Sequence, residues 1–337
     1  MRVSVFLCWV IGVGLVSGCG PNSRMGSGNG GGDDDAGVTR MDLAFRDAAP
    51  TSGPDLAYPG KLFHFVTDSV RFPQSIGEYG FAPNHDGAPH NQFARVALAL
   101  FQNGIPLQPS ETVGITIDGD ALELLSVASM DASLTGDPNS FVNVYVASAA
   151  RQPDLSGAGS FTINLGAGKG TLPGNLAGGT FYGGDPANAA APPTAPLRIA
   201  LAGSQRVTLP LVGAHLTFIA SPDGLMKGEI HGALKQDDLD KIFIPSLAQN
   251  LSLIATQQNC AQNADCTNVR KLFDTQPTDG MISALEVKGS LLLSNLLGPD
   301  VDLYDAQGKW KPNPSNTSPD SFTIGVGFTA KKAMFSE

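Results

Sequence analysis

Short apolar runs, each closed by a cluster of Gly, Pro, Asn or Asp, recur along this chain from Lys61 onwards. That rhythm limits what the chain can fold into. The runs are Leu62 to Val66, Val113 to Ile117, Ala121 to Val127, Phe141 to Ala147, Ser160 to Leu165, Leu197 to Leu201, Arg206 to Leu211, Ala214 to Ala220 and Leu225 to Leu234. They are too short for helices and several alternate, so they read as strands paired antiparallel through tight turns. Composition agrees: charged residues are 15% of the chain, against about 25% in an ordinary soluble domain. There are also 40 glycines and 24 prolines to make turns. The expected fold is mainly β: an antiparallel β-sandwich over residues 61–235, with one short helix at Phe93 to Phe101.

The hairpin at Ser221-Pro222-Asp223-Gly224 is the sharpest local signal. Pro suits the first central position and Gly the left-handed slot, predicting a three-residue loop with a glycine bulge. That loop pairs Ser221 with Leu225, sets Leu216 opposite Ile230 and Ala220 opposite Met226, and puts Val212, Phe218, Met226 and Ile230 on one apolar face. It also sets His215 directly opposite His231 on the polar face, beside Thr217, Glu229 and Lys227. Two imidazoles and a diagonal carboxylate are donors that a transition metal accepts, but Lys227 opposes a cation and a solvated strand face explains the same residues.

After Lys235 the period changes. Ile244, Leu247, Leu251 and Ile254 recur at helical spacing, with Pro245 suited to a first turn. Val269, Leu272 and Phe273 suggest a second helix, and Ser283 to Leu297 a third. Residues 236–300 therefore read as a C-terminal helical appendage. Residues 301–337 follow, and within them Ser321 to Phe328 alternates again and returns to the sheet as a last strand.

The N-terminus says where the chain goes. Arg2 precedes an apolar run from Val3 to Val16, too short to span a bilayer, which needs about 20 apolar residues. It reads as an export signal over residues 1–18. Val16-Ser17-Gly18-Cys19 fits a bacterial lipobox, in which the Cys19 thiol takes a diacylglycerol. Residues 19–60 carry no hydrophobic period, a glycine run and Asp33-Asp34-Asp35, which is a disordered tether with a root-mean-square span of about 35 Å. Gly20 after the cysteine favours the outer membrane over inner-membrane retention. Of four cysteines, Cys260 and Cys266 remain after the signal and the lipid site, and in an exported chain they read as a disulfide. A zinc pair would need further His or Cys close by, and the sequence has none there.

The net charge of −10 is spread without any basic cluster, which excludes a nucleic-acid partner. Gly-x-Ser-x-Gly, His-Glu-x-x-His and the phosphate-binding Gly-x-x-x-x-Gly-Lys are all missing. The one constellation with its own chemistry is Phe273-Asp274-Thr275-Gln276-Pro277-Thr278-Asp279-Gly280-Met281-Ile282-Ser283-Ala284-Leu285-Glu286. It resembles an EF-hand loop, in which alternate residues give oxygens, Gly makes the sharp turn and the last Glu is bidentate. Asp274, Asp279, Ser283 and Glu286 are the candidate calcium ligands. Counted back from Glu286 the loop is one residue too long, and Pro277 holds a ligand slot, so calcium is expected to bind weakly, at about 10⁻⁴ to 10⁻³ M. The alternative is a loop capped by Asp279 and Glu286 that holds no ion. Asn84, Asp86 and Gly87 form a fainter echo of a calcium loop, with Ala82 in place of the first acid and no closing Glu.

Together the lipobox, the repeated Asp-Leu-Ala of the tether (residues 42–44 and 55–57), the strand-rich body, the Phe273 to Glu286 loop and the closing Gly325-Val326-Gly327-Phe328-Thr329-Ala330 strand resemble a family of secreted bacterial lipoproteins with degenerate EF-hand-type loops. The resemblance implies a place and an ion, calcium, and no reaction. The expectation is a membrane-anchored surface lipoprotein with a binding or structural role, its ligand a glycan, a protein or the cell wall. An exported hydrolase on the same scaffold is the alternative.

Overall fold

The computed structural model describes residues 59–82, 89–107, 122–148, 153–184, 191–201, 206–275, 277–313 and 317–336. The expected signal, Cys19, residues 19–58 of the expected tether, the strand expected at Val113 to Ile117, and Asn84 and Asp86 lie outside the described residues. Among the described residues fourteen strands form. In chain order they are β1 (Lys61–Arg71), β2 (Glu123–Ser129), β3 (Gly136–Asp137), β4 (Phe141–Val146), β5 (Ser160–Thr162), β6 (Lys169–Ala177) and β7 (Thr180–Gly183). There follow β8 (Thr194–Ala200), β9 (Arg206–Ser221), β10 (Gly224–Lys235), β11 (Asp302–Tyr304), β12 (Trp310–Asn313), β13 (Ser321–Lys332) and β14 (Met334–Ser336).

The expected sandwich is wrong: eight of these strands close into an antiparallel barrel. Around it run β1, β2, β4, β6, β7, β9, β10 and β13, each beside its neighbour in chain order, and β13 returns to pair with β1. Val66 lies opposite Lys331 on that closing seam, and Ile230 opposite Val326 on the other side of β13. Alternation cannot tell the two folds apart, because a strand with one buried face reads the same in a sandwich and in a barrel. Curvature decides. Ladder irregularities at Thr67/Ser69 in β1, Met226/Glu229 and His231/Ala233 in β10, and Gly213 at φ 62, bend strands that would otherwise stay open.

An eight-strand barrel is just wide enough to be filled by side chains, and this one is filled. Phe65, Leu125, Val127, Val144, Leu172, Phe181, Leu216, Phe218, Ile230, Ile324 and Val326 belong to one core and are almost fully buried. Glycine makes room for the rings. Phe181 occupies the space that a Cβ would need at Gly174 and Gly183, and stacks on Phe218 with centroids 4.9 Å apart. The Gly and Thr residues of β6 and β7 hide these strands from an apolar-run reading, although they are indispensable to the barrel.

The helices are few and short. α1 (Gln92–Gln102) matches its expectation, with Asn91 capping it by accepting from the Ala94 N–H. α2 (Gln236–Asp238) runs through a π-helical turn at Leu239–Phe243 into α3 (Ile244–Ala255). α4 (Ala264–Phe273) and α5 (Ala284–Gly289) follow. The helix expected to reach Leu297 stops at Gly289, and Ser290 turns the chain with its hydroxyl. These helices share the barrel's core: Phe93 contacts Phe243, and Phe243 contacts Phe322 at the start of β13. β8 pairs with the first half of β9 and crosses towards β4 and β6, covering the same end of the barrel.

The β9–β10 hairpin turns more tightly than expected. Ser221 pairs with Gly224 across a two-residue loop, and Leu225 faces Ala220. Gly224 is needed because a Cβ there would stand 2.7 Å from the Ala330 carbonyl, not for a left-handed φ. The bulge falls later, at Lys227 (φ 50) and Gly228. It restores the register, so Leu216 faces Ile230 as expected while Met226 turns outward and is 55% exposed.

Outside, Tyr79 and Asn91 lie across β13. Tyr79 sits over Gly325 and Gly327, where a Cβ would meet its carbonyl oxygen and its ring, and Asn91 Nδ2 donates to the Glu78 and Gly325 carbonyls. A second small cluster, Phe81, Val212, Ala233, Val301, Leu303 and Trp310, packs the β11–β12 hairpin on β10. Gly325→Ala puts a methyl group 1.9 Å from the Tyr79 oxygen, and we expect it to lower stability by about 1–3 kcal/mol, as overpacking does. Thermal denaturation followed by near-ultraviolet circular dichroism measures the loss.

Candidate functional sites

The loop between α4 and α5 is held by its own carboxylates. Asp274, buried at the end of α4, accepts the Asp279 and Gly280 N–H groups at 3.0 Å each. Gly280 takes φ 83, the sharp turn that its Asp-Gly pair predicts. Ser283 caps α5, and Glu286 completes the reciprocal capping box: its Oε2 accepts the Ser283 N–H and hydroxyl, while Oε1 reaches the Thr275 N–H at 3.1 Å. Asp279 is exposed and accepts the Met281 N–H. The structure thus brings Asp274 and Asp279 to one turn and Ser283 and Glu286 to the next, joined through Thr275. Ser252 of α3 fastens the loop from below, its hydroxyl bonded to both the N–H and the carbonyl of Ile282. Cys260 and Cys266 form a disulfide with Cα atoms 5.2 Å apart at the start of α4. Among the described residues no group of three or more His, Cys, Asp or Glu gathers around a single point.

His215 and His231 are where the sequence puts them, opposite each other on β9 and β10. Both are half-buried, and His215 Nδ1 lies 3.0 Å from His231 Nε2. The Phe81 ring stands edge-on to His231 at 6.1 Å. Glu229, on the same face, has its carboxyl pushed up by burial and by the nearby Glu78. Lys227, the expected opponent of a cation, falls in the bulge, is exposed and has no partner on β9.

Asp300 and Glu123, two carboxyls that burial raises, escaped the sequence reading. Asp300 accepts the Thr323 N–H and hydroxyl and stands 3.7 Å from His90. Burial raises its carboxyl, and the Thr323 bonds and His90 partly offset that. Glu123 opens β2 inside the barrel, bonded by Oε1 to the Arg198 N–H at 2.6 Å, while its own N–H donates to Thr67 Oγ1. Its signal was legible: it occupies the inward phase of Glu123, Leu125 and Val127. A surface groove between the paired segments of β8 and β9 and the helical segment is lined by Pro196, Pro210, Val212 and Ile242. Lys235 and Asp238 are the charged groups near its helical side, and among the described residues no His lines it.

No family model matches this chain, and neither a curated protein nor a solved structure shows significant similarity to it.

Burial lifts the Glu123 carboxyl from 4.5 to about 8, against a smaller opposing effect of the Arg198 N–H. The folded chain therefore keeps this proton while the unfolded chain releases it. Its contribution to stability is complete below about pH 4.5 and is lost as pH rises to about 8, on the order of several kcal/mol by linkage. Glu123→Gln keeps an acceptor for Arg198 and removes the ionisation. We expect it to match the parent in urea unfolding at pH 5 and to exceed it clearly at pH 8.5; parallel curves at both values would refute the assignment.

Proposed function

We propose that this chain is an exported, lipid-anchored protein of the bacterial envelope that acts by binding or support at its outer surface and does no chemistry. The observation that carries this reading is Val16-Ser17-Gly18-Cys19, placed behind a short apolar run and ahead of a tether without hydrophobic period. A tether of about 35 Å would hold the barrel clear of the lipid headgroups. The filled interior supports a role played on the outside, since recognition by eight-strand barrels from within requires an unfilled lumen. Gly20 after the lipid-bearing cysteine supports the outer membrane as its place. A glycan, a protein and the cell wall are the partner classes that fit. Cys19→Ala should move the protein from the membrane fraction to the soluble envelope fraction and abolish labelling by radioactive palmitate; membrane association that survives the substitution would overturn the reading.

Weak calcium binding at Asp274, Asp279, Ser283 and Glu286 belongs to the same proposal. The carboxylate oxygens at this loop keep lone pairs beyond those given to backbone N–H groups, and exported modules use calcium in the millimolar range. Addition of 5–10 mM calcium, roughly ten times the weakest such affinity, should raise the melting temperature by a few degrees. Glu286→Gln should erase the rise, and a parent chain indifferent to calcium would leave a loop whose role is packing.

A further inference from the structure

We propose that His215 and His231 form a two-imidazole site for a divalent transition metal of right-angled geometry, copper(II) above all. The site is independent of the membrane anchor and of the calcium loop. The argument begins with a distance. Two nitrogens on one ion, at bonds of about 2.0–2.1 Å, stand roughly 2.8–3.0 Å apart at a right angle and roughly 3.3–3.4 Å apart at the tetrahedral angle. His215 Nδ1 and His231 Nε2 are 3.0 Å apart. That separation suits adjacent corners of the square-planar or tetragonal sites favoured by Cu(II) and Ni(II). Zinc would require the rings to spread by a few tenths of an ångström. Copper(II) also heads the affinity order for nitrogen donors.

The surroundings fix the pair and favour a cation. The rings come from directly opposed residues of two adjacent barrel strands, so their spacing is set by the ladder and not by a loop. Phe81 walls His231 on one side, and Gly325 faces it on β13, where a Cβ would stand 3.0 Å from the His231 Cβ and 1.9 Å from the Tyr79 carbonyl oxygen. Glu229 lies two residues before His231 on the same face, opposite Thr217 of β9. A bound cation would be drawn to its carboxylate. Lys227, which would oppose it, is displaced into the bulge. Among the described residues His215 and His231 supply two ligands, and water the remaining corners. On binding, each nitrogen gives its lone pair to the ion; the proton they share in the metal-free pair moves to the donor ring's other nitrogen or to solvent.

Paramagnetic resonance of the full chain, purified without a histidine tag and loaded with one equivalent of copper(II), tests the site. The expected spectrum is axial with hyperfine coupling to two imidazole nitrogens, and copper(II) and nickel(II) should each raise the melting temperature. His215→Gln and His231→Asn should each weaken copper binding by roughly tenfold or more, the scale on which changes to a ligand shell act. His90→Gln should leave it unchanged. Because the two-imidazole signature is read on the unaltered chain, the test stands even where a variant fails to fold. Oxygen-only coupling, as the acidic tether would give, a single imidazole, or full affinity in both histidine variants would overturn the proposal.

Discussion

β13 is the strand on which the barrel depends. It pairs with β10 over Gly224 to Lys235 and with β1 over Phe65 to Arg71, so it supplies both seams that a linear sheet would leave open. Its first eight residues are buried on both faces. Phe322, Ile324, Val326 and Phe328 fill the lumen, while Gly325 and Gly327 lie beneath Tyr79, and the Thr323 hydroxyl accepts the Gln92 N–H at the start of α1. An unpaired strand edge is a template for association with another chain. β13 removes two such edges at once, and the glycines on its outer phase let Tyr79 and Asn91 cover it without steric conflict.

The same economy of space governs the interior. Glycines at the inward phases of β6, β7 and β10 do not relax the backbone; they accept rings. Phe181 fills the positions facing Gly174 and Gly183, and Phe328 fills that facing Gly228. Close packing of this kind leaves voids smaller than a water molecule. The carboxyl of Glu123 inside the barrel is tied to the Arg198 N–H of the covering strand β8, so the lumen and its cover are joined by a hydrogen bond as well as by apolar contact. Chemistry available to a partner is consequently confined to the outer faces of the strands, the connecting loops and the helical segment.

Much of this was legible in the residues. The β9–β10 pairing, with His215 opposite His231, follows from alternation and a Pro-Asp-Gly turn. α1, α3 and α4 follow from helical spacing, and the return of the last strand from its Phe322, Ile324, Val326, Phe328 phase. The step from sheet to barrel was not, because closure depends on bulges such as Lys227–Gly228, where a lysine takes a left-handed φ that composition does not announce. β6 and β7 were missed for a related reason: their inward residues alternate between Leu or Phe and Gly, which reads as a turn unless the ring that fills the gap is known. Of the candidate sites, the Asp-Gly turn and the Ser283–Glu286 cap were readable locally, and Glu123 showed its inward phase, whereas Asp300 acquires its character only from tertiary burial.

The order of strands around the barrel also sets an order in time. Seven barrel strands leave the ribosome before β13, and the seam between Val66 and Lys331 joins residues from nearly opposite ends of the folded part. Contacts so distant in sequence cannot form early, and folds built on them close slowly. Until β13 arrives the other strands make an open sheet with two bare edges, each a template for association with another chain. Closure of the barrel is therefore the last step that the order of the strands allows, and the bare edges persist until β13 pairs with both β1 and β10.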